Sequence, residues 1–167
     1  MSSDTFTTAL FLITAVIAAG VLINAVFPVI YQMAGTFNSA THESDVRLRT
    51  DFSITTSFAS GTPTYNSQIF LKNIGSQQIS TTEIQESDVF FGQQGGIQRI
   101  DYQTDTTGNG EWTFVIHDLN HNNYWDPGET LEIDIHPSGT YPGEGTPFYF
   151  QFVLPNAVSR TTQFTGT

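Results

Sequence analysis

Cysteine is absent from this chain of 167 residues, and basic residues are scarce. Without cysteine, disulfide bonds, thiol catalysis and cysteine-ligated zinc or iron–sulfur sites are excluded. Only 5 Lys and Arg oppose 16 Asp and Glu, which gives a formal net charge of -11. This charge argues against nucleic-acid binding, because that binding depends on Lys and Arg that neutralise phosphates. What is left is an acidic protein whose length suits one compact domain and an appendage.

Charge of either sign is also missing near the start of the chain, where no Asp, Glu, Lys or Arg occurs between Asp4 and Glu43. Within this stretch, residues 6–34 are apolar on all sides and exceed the roughly 20 residues that a helix needs to cross a bilayer. The hydroxyls of Thr7, Thr8 and Thr14 are expected to donate hydrogen bonds to backbone carbonyls of the same helix. We therefore predict a hydrophobic helix in residues 1–45 and an acidic β-sandwich domain in residues 46–167.

Three interpretations of the helix remain open: a cleaved secretory signal, a single-pass membrane anchor, and a helix that packs with copies of itself in a filament core. A signal peptide has a basic start and a shorter apolar run, whereas this chain begins MSSDT. Arg47 and Arg49 follow the helix, and positive residues beside a spanning helix favour the cytoplasmic side. They therefore indicate, weakly, that the sandwich lies in the cytoplasm. The residues expected to contact lipid or a partner helix are Phe6, Leu10, Ala15, Ala19, Leu22 and Phe27.

Beyond the helix, apolar and polar residues alternate in short runs, a pattern that predicts half-buried strands. Turn residues separate the runs. Seven or eight such strands at this spacing are typical of an immunoglobulin-like antiparallel sandwich. The predicted strands are Val46–Ile54, Gln68–Lys72, Ile84–Phe91, Ile97–Tyr102, Glu111–His117, Glu129–His136, Pro147–Leu154 and Ala157–Phe164.

The densest cluster of oxygen-bearing side chains is the stretch DLNHNNYWDPGE, Asp118–Glu129. Its spacing matches the EF-hand loop, in which positions 1, 3, 5, 7, 9 and 12 supply oxygens to Ca²⁺. Asn123 occupies the usual glycine position, and asparagine adopts left-handed backbone geometry readily. The alternative is an Asx-rich turn without metal. The predicted ligands are Asp118, Asn120, Asn122, the carbonyl of Tyr124, Asp126 and Glu129.

A second oxygen-rich stretch, Asp105–Glu111, has too few carboxylates for a cation and is expected to be a hairpin turn. Catalytic motifs are missing from the sequence: it contains no Gly-x-Ser-x-Gly elbow, phosphate-binding loop or HExxH motif. His117 and His121 are four residues apart, but they fall on a predicted strand end and a loop rather than on one helical face. We therefore expect that the protein is not an enzyme.

Several segments together resemble archaeal flagellin-related proteins, which share the plan of type IV pilins. Within that group the chain is most similar to the FlaG family of archaellum accessory proteins, with the FlaF family next. LKNIG at Leu71–Gly75 is similar to a strand common in archaellins and archaeal pilins. The segments that carry the resemblance are Ser2–Ala34, Asp45–Ile54, Ile69–Ser76, Asp88–Gly92 and Asp118–Ile133.

The resemblance implies a structural component of the archaellum, with the helix in the cytoplasmic membrane and the sandwich in the pseudo-periplasm. There the sandwich would contact the S-layer or an accessory partner of the FlaF type, and the protein would form homo-oligomers or a filament. Archaellins and pilins carry a basic leader that MSSDT lacks, which favours an accessory protein over a major filament subunit. The alternative is an archaellin or adhesive pilin subunit in an extracellular filament. A membrane-tethered sandwich that binds a ligand such as a surface sugar is a third interpretation.

Overall fold

The computed structural model describes residues 2–60, 66–104, 110–137 and 145–166. The chain divides into two compact units, Met1–Ser44 and Asp45–Thr167. The stretch expected to form a hairpin turn, Asp105–Glu111, lies largely outside the described residues. Helix α1 spans Ser2–Arg49 and contains 48 residues, which corresponds to about 70 Å of helix.

Helix α1 contains seven alanines, the residue with the highest helix propensity, and its hydroxyl groups are satisfied internally. The hydroxyls of Thr7, Thr8 and Thr14 each donate to the carbonyl four residues earlier, at 2.8 Å. This confirms the expectation for the three threonines. The helix runs through Pro28 and is long and apolar enough to cross a bilayer.

The prediction of a strand from Val46 is wrong for its first residues, because α1 continues to Arg49. The amide of Thr50 donates to the carbonyl of Val46 at 3.0 Å, and its hydroxyl donates to the same oxygen at 2.7 Å. Leu48, which the alternation placed on a buried face, is 85% exposed. Two arginines in the last turn also favour helix there, since cations stabilise a helix C-terminus.

The rest of the chain consists of strands and one short helix, α2, at Thr81–Gln85. The prediction of a strand from Ile84 is wrong at its start, because Ile84 lies in α2 and the strand begins at Asp88. Ser80 and Glu83 form a capping box that starts the helix. The strands are β1 Phe52–Ser60, β2 Asn66–Asn73, β3 Ile79–Ser80, β4 Asp88–Gln93, β5 Gln98–Tyr102, β6 Glu111–His117, β7 Tyr124–Trp125, β8 Thr130–His136, β9 Pro147–Val153 and β10 Ser159–Thr165.

Eight strands form two antiparallel layers, β1-β2-β8-β6 and β5-β4-β9-β10. A short parallel pairing of β5 with β6 connects the layers. Aromatic contacts fill the space between them: Phe152 lies 5.6 Å from Phe52 and 6.1 Å from Trp112, between ring centroids. The expected fold, a long helix followed by an antiparallel sandwich, is confirmed. Strands β3 and β7 form a separate two-stranded ribbon.

The segment in which α1 ends, Arg49–Asp51, is held within the second unit by backbone hydrogen bonds, and we call it the exit segment. The carbonyl of Arg49 accepts from the amides of Ser76 and Gln77, at 2.9 and 3.1 Å. The carbonyl of Asp51 accepts from Ile74 and Gly75, at 3.0 and 2.9 Å. A Cβ atom on Gly75 would lie 2.5 Å from the carbonyl oxygen of Arg49. Position 75 therefore requires glycine.

We predict that Gly75→Ala destabilises the second unit by roughly 1–3 kcal/mol, because the added methyl group meets backbone that must move. Thermal unfolding can be followed by tryptophan fluorescence, since both tryptophans, Trp112 and Trp125, lie in this unit. The control is Gly96→Ala, because a Cβ atom there would lie 3.9 Å from its nearest neighbour. Equal Tm values for the two variants would contradict the steric argument.

Candidate functional site

The loop between β6 and β8 begins at Asp118, whose carboxylate organises the first turn. Oδ1 accepts the amides of Asn120 and His121 at 3.0 and 2.7 Å, and Oδ2 accepts the amide of Asn123 at 2.8 Å. Desolvation alone would raise the pKa of Asp118, but these three donors lower it below its ordinary value. The first predicted ligand is thus a carboxylate held in its ionised form.

Asn123 adopts the left-handed backbone conformation, with φ of 63°. This confirms the expectation for the position at which EF-hand loops have glycine. The hydroxyl of Thr81, at the start of α2, donates to the carbonyl of Asn123 at 2.6 Å. The turn is therefore held from outside the loop as well as by Asp118.

The side chains of Asn120, Asn122 and Asp126 meet at one point. Both amide nitrogens donate to Oδ2 of Asp126, at 2.7 Å from Asn120 and 2.8 Å from Asn122. Asp126 is only 9% exposed, and its Oδ1 has no hydrogen-bond partner. A buried carboxylate oxygen without a donor is costly. The side chains at loop positions 3, 5 and 9 therefore converge around one buried carboxyl group, of which one oxygen has no donor.

Glu129 closes the loop. Its Oε1 accepts the amide of Leu119 at 2.9 Å, and its Oε2 accepts the amide of Asp126 at 3.0 Å. The residue is 6% exposed. Tyr124, whose carbonyl is the remaining predicted ligand, lies in β7 opposite Ser80. The two ends of the loop are thus joined by the Glu129 side chain.

The loop carries three carboxylates, and no ion pair among the described residues involves them. Within the same residues, no group of three or more His, Cys, Asp or Glu side chains is arranged to hold a metal. The convergent set is instead one carboxylate and two amides. The Oδ1 atoms of Asn120 and Asn122 accept the amides of Asn122 and Tyr124, at 3.1 and 2.8 Å, which turns both amide nitrogens toward Asp126. Ca²⁺ prefers oxygen ligands, so a calcium ion here would require both amides to rotate and to release these two backbone hydrogen bonds.

The helix residues predicted to contact lipid or a partner do not lie on a single face. At about 100° per residue, Phe6, Leu10 and Phe27 lie on one side of α1, and Ala15, Ala19 and Leu22 lie on the opposite side. All six side chains are exposed. The helix therefore presents apolar surface around its whole circumference.

Sequence reasoning missed Asn73 at the end of β2. Its side chain is 1% exposed and donates to the carbonyls of Gln77 and Trp125, both at 2.9 Å. Its Oδ1 accepts the amide of Gly75 at 3.0 Å, which forms an Asx turn. The Asn-x-Gly spacing in LKNIG was the available signal, but it does not identify the distant partner Trp125.

Residues 8–164 match the profile of a protein family described as Archaeal-type flagellin. A relative from Archaeoglobus fulgidus, described as an uncharacterized protein, is 24% identical over 165 residues, which are 98% of this chain and 99% of that protein.

Solved structures show the same fold. The archaellum periplasmic stator protein FlaG from Sulfolobus acidocaldarius matches with a TM-score of 0.55 and 24% identity, over 69% of this chain and 99% of that one. The archaeal flagellum of Methanospirillum hungatei strain JF1 matches with a TM-score of 0.58 and 16% identity, over 92% of this chain and 91% of that one.

The lowered pKa of Asp118 predicts an acid-dependent loss of stability. Its contribution is complete above the unfolded pKa and is lost as pH falls through the lower folded pKa. Asp118→Asn should therefore lower Tm at pH 7 and reduce the fall in Tm between about pH 5 and about pH 2. Tryptophan fluorescence melts in EDTA measure this, and an unchanged pH profile in the variant would contradict the assigned role.

Proposed function

The chain belongs to the archaeal-type flagellin family, whose profile covers residues 8–164, and on this premise we propose that it is a membrane-anchored stator or anchor of the archaellum. Helix α1 lies in the cytoplasmic membrane, and the sandwich lies in the pseudo-periplasm. There the sandwich binds the S-layer or an accessory partner of the FlaF type. Family and fold are those of structural archaellum proteins rather than of enzymes.

The apolar surface of α1 is the observation that carries the proposal. Phe6, Leu10, Leu22 and Phe27 are each half or more exposed. Leaving such surface in water costs about 25 cal/mol per Å². A bilayer or other helices must therefore cover α1. A lipid-embedded helix fixes one end of the protein, as an element that resists torque requires.

The role of the sandwich is argued from its similarity to stator proteins. The FlaG match covers 99% of that chain. A second match, to a structure described as the archaellum periplasmic stator protein complex FlaF and FlaG, covers 87% of that chain. A partner of the FlaF type is the corresponding proposal here. Contact with the S-layer would supply a second fixed point, since a stator needs attachment on both sides of the load.

The alternative is a filament subunit, an archaellin or adhesive pilin. Residues 6–34 span about 44 Å as helix, against the ~30 Å of a bilayer's hydrocarbon. A helix that is too long must tilt or find protein partners. The match to the Methanospirillum hungatei flagellum, which covers 92% of this chain, also favours this alternative. Self-assembly through α1 is compatible with either role.

We further propose that the loop Asp118–Glu129 binds Ca²⁺. The unpartnered Oδ1 of Asp126 supports this, together with the two amides that face the same carboxylate. A bound cation would replace the amide donors of Asn120 and Asn122, which satisfy only one of the two carboxyl oxygens of Asp126. In a chain without cysteine, such an ion would take the place of a covalent crosslink between β6 and β8.

Calcium at 100 times its Kd should stabilise the second unit by about 2.7 kcal/mol, since the ion binds only the folded state. Melts with Ca²⁺ and with EDTA measure this by tryptophan fluorescence. Asp126→Asn should abolish the response, as should alanine at both Asp118 and Glu129. Asp101→Asn, outside the loop, should retain it. Identical melting curves of the natural protein in Ca²⁺ and EDTA would refute the site.

Deleting the gene in a motile archaeon that carries it should abolish swimming, measured by tracking single cells. Re-expression of the natural chain should restore motility. Leu22→Lys should not, because a lysine at the centre of a spanning helix costs about 2.5–3.5 kcal/mol of insertion. Ser39→Lys, on the polar end of α1, is the matched control and should restore swimming. Normal swimming of the deletion strain would reject the proposal.

Cell fractionation separates the two roles. A stator or anchor remains with the membrane when filaments are sheared from the cells, whereas a filament subunit is abundant in the sheared fraction. We expect the membrane fraction.

A further inference from the structure

Asn73 makes hydrogen bonds with every polar atom of its backbone and side chain. Its amide donates to the carbonyl of Glu129 at 3.0 Å, and its carbonyl accepts from Gly128 at 2.8 Å. Its side chain donates to Trp125 and Gln77 and accepts from Gly75. The residue is almost completely buried. Water therefore cannot replace a partner that moves away.

The partners of Asn73 belong to two different segments. Trp125, Gly128 and Glu129 are part of the loop Asp118–Glu129. Gly75 and Gln77 belong to the turn Ile74–Gln77, whose four amides donate to the carbonyls of the exit segment. A single buried residue thus lies between the loop that we propose as a calcium site and the segment in which α1 ends.

Glu129 connects the cation to Asn73 most directly. Its carboxylate is a predicted ligand, and its carbonyl accepts both the Asn73 amide and the indole nitrogen of Trp125, each at 3.0 Å. A cation that holds the carboxylate restricts the backbone of the same residue. It therefore restricts the two donors bound to that backbone.

We propose that Asn73 makes the order of the exit segment depend on cation binding in the loop. This inference rests on the calcium site proposed above. With the cation bound, the loop holds Asn73 in place, and Asn73 holds the turn Ile74–Gln77 against Arg49 and Asp51. Without the cation, the loop opens more often and the hydrogen bonds to the exit segment open with it.

Amide hydrogen exchange of the full-length protein in detergent tests this. Ca²⁺ should slow exchange at Ile74, Gly75, Ser76 and Gln77 by about fivefold or more. A factor of about five is the lower limit of the coupling usually found between two sites of a protein. The reference is the Gly96 amide, which donates to the carbonyl of Gln93 in the β4–β5 turn. Among the described residues, it has no hydrogen bond to Asn73 or to the partners of Asn73. Gly96 is exposed, so its amide exchanges by local opening of that turn rather than by unfolding of the whole unit, and its exchange should be unchanged.

The variant Asn73→Asp keeps the acceptor for Gly75 and removes the donor to Gln77 and Trp125. It should still bind Ca²⁺, seen as a change in tryptophan fluorescence, but lose the protection at Ile74–Gln77. The matched control is Asn156→Asp. The Asn156 side chain donates to the hydroxyl of Thr50 at 3.0 Å, so it contacts the exit segment without contacting the loop. That control should retain the protection.

The outcomes separate the two proposals. Absence of any calcium binding by calorimetry and fluorescence overturns both. Binding without slower exchange at Ile74–Gln77 in the natural protein overturns the coupling alone, and this result does not require the Asn73 variant to fold. Equal slowing at Gly96 also overturns it, because that pattern is global stabilisation. Protection that persists in Asn73→Asp overturns the role of Asn73.

Discussion

The need to cover a helix in which residues 5–42 carry no formal charge determines how this protein can exist. No charge occurs between Asp4 and Glu43, and the apolar side chains of α1 lie on all of its faces. Hydrocarbon or neighbouring helices are the two environments that can cover such a surface. The backbone of the helix is compatible with both, because its threonine hydroxyls bond to carbonyls within the same helix. The proposed role at the cell membrane or in a filament rests on this constraint.

The second unit has a different physical basis. Its core is formed by aromatic and branched side chains between two antiparallel layers, and its surface carries most of the acidic residues. The exit segment is attached to it through backbone carbonyls, with Gly75 in close contact and an ion pair between Asp51 and Arg160. A terminal turn fixed in this way belongs mechanically to the sandwich. For a protein proposed to bear load, the attachment of these residues is as important as the anchor itself.

Most of the fold was predictable from the sequence, because periodicity and charge are local signals. The helix, the sandwich and the left-handed Asn123 follow from patterns within a few residues of one another. The end of α1 was misplaced because Val46 and Leu48 alternate like a strand, while tertiary contacts of Arg49 and Asp51 set the boundary. The Ser80–Glu83 capping box was visible in the sequence and was overlooked. Asn73 could not be identified, because its partners Trp125 and Glu129 are more than fifty residues away in the chain.

The state of the full-length protein without detergent tests the central claim most directly. Purified protein can be mixed with lipid vesicles, or left without them, and examined by density flotation and electron microscopy. The account predicts that the protein floats with vesicles and forms oligomers or filaments in their absence, whereas Leu22→Lys does neither efficiently. A natural chain that remains a dispersed monomer in buffer and does not float with lipid would contradict it.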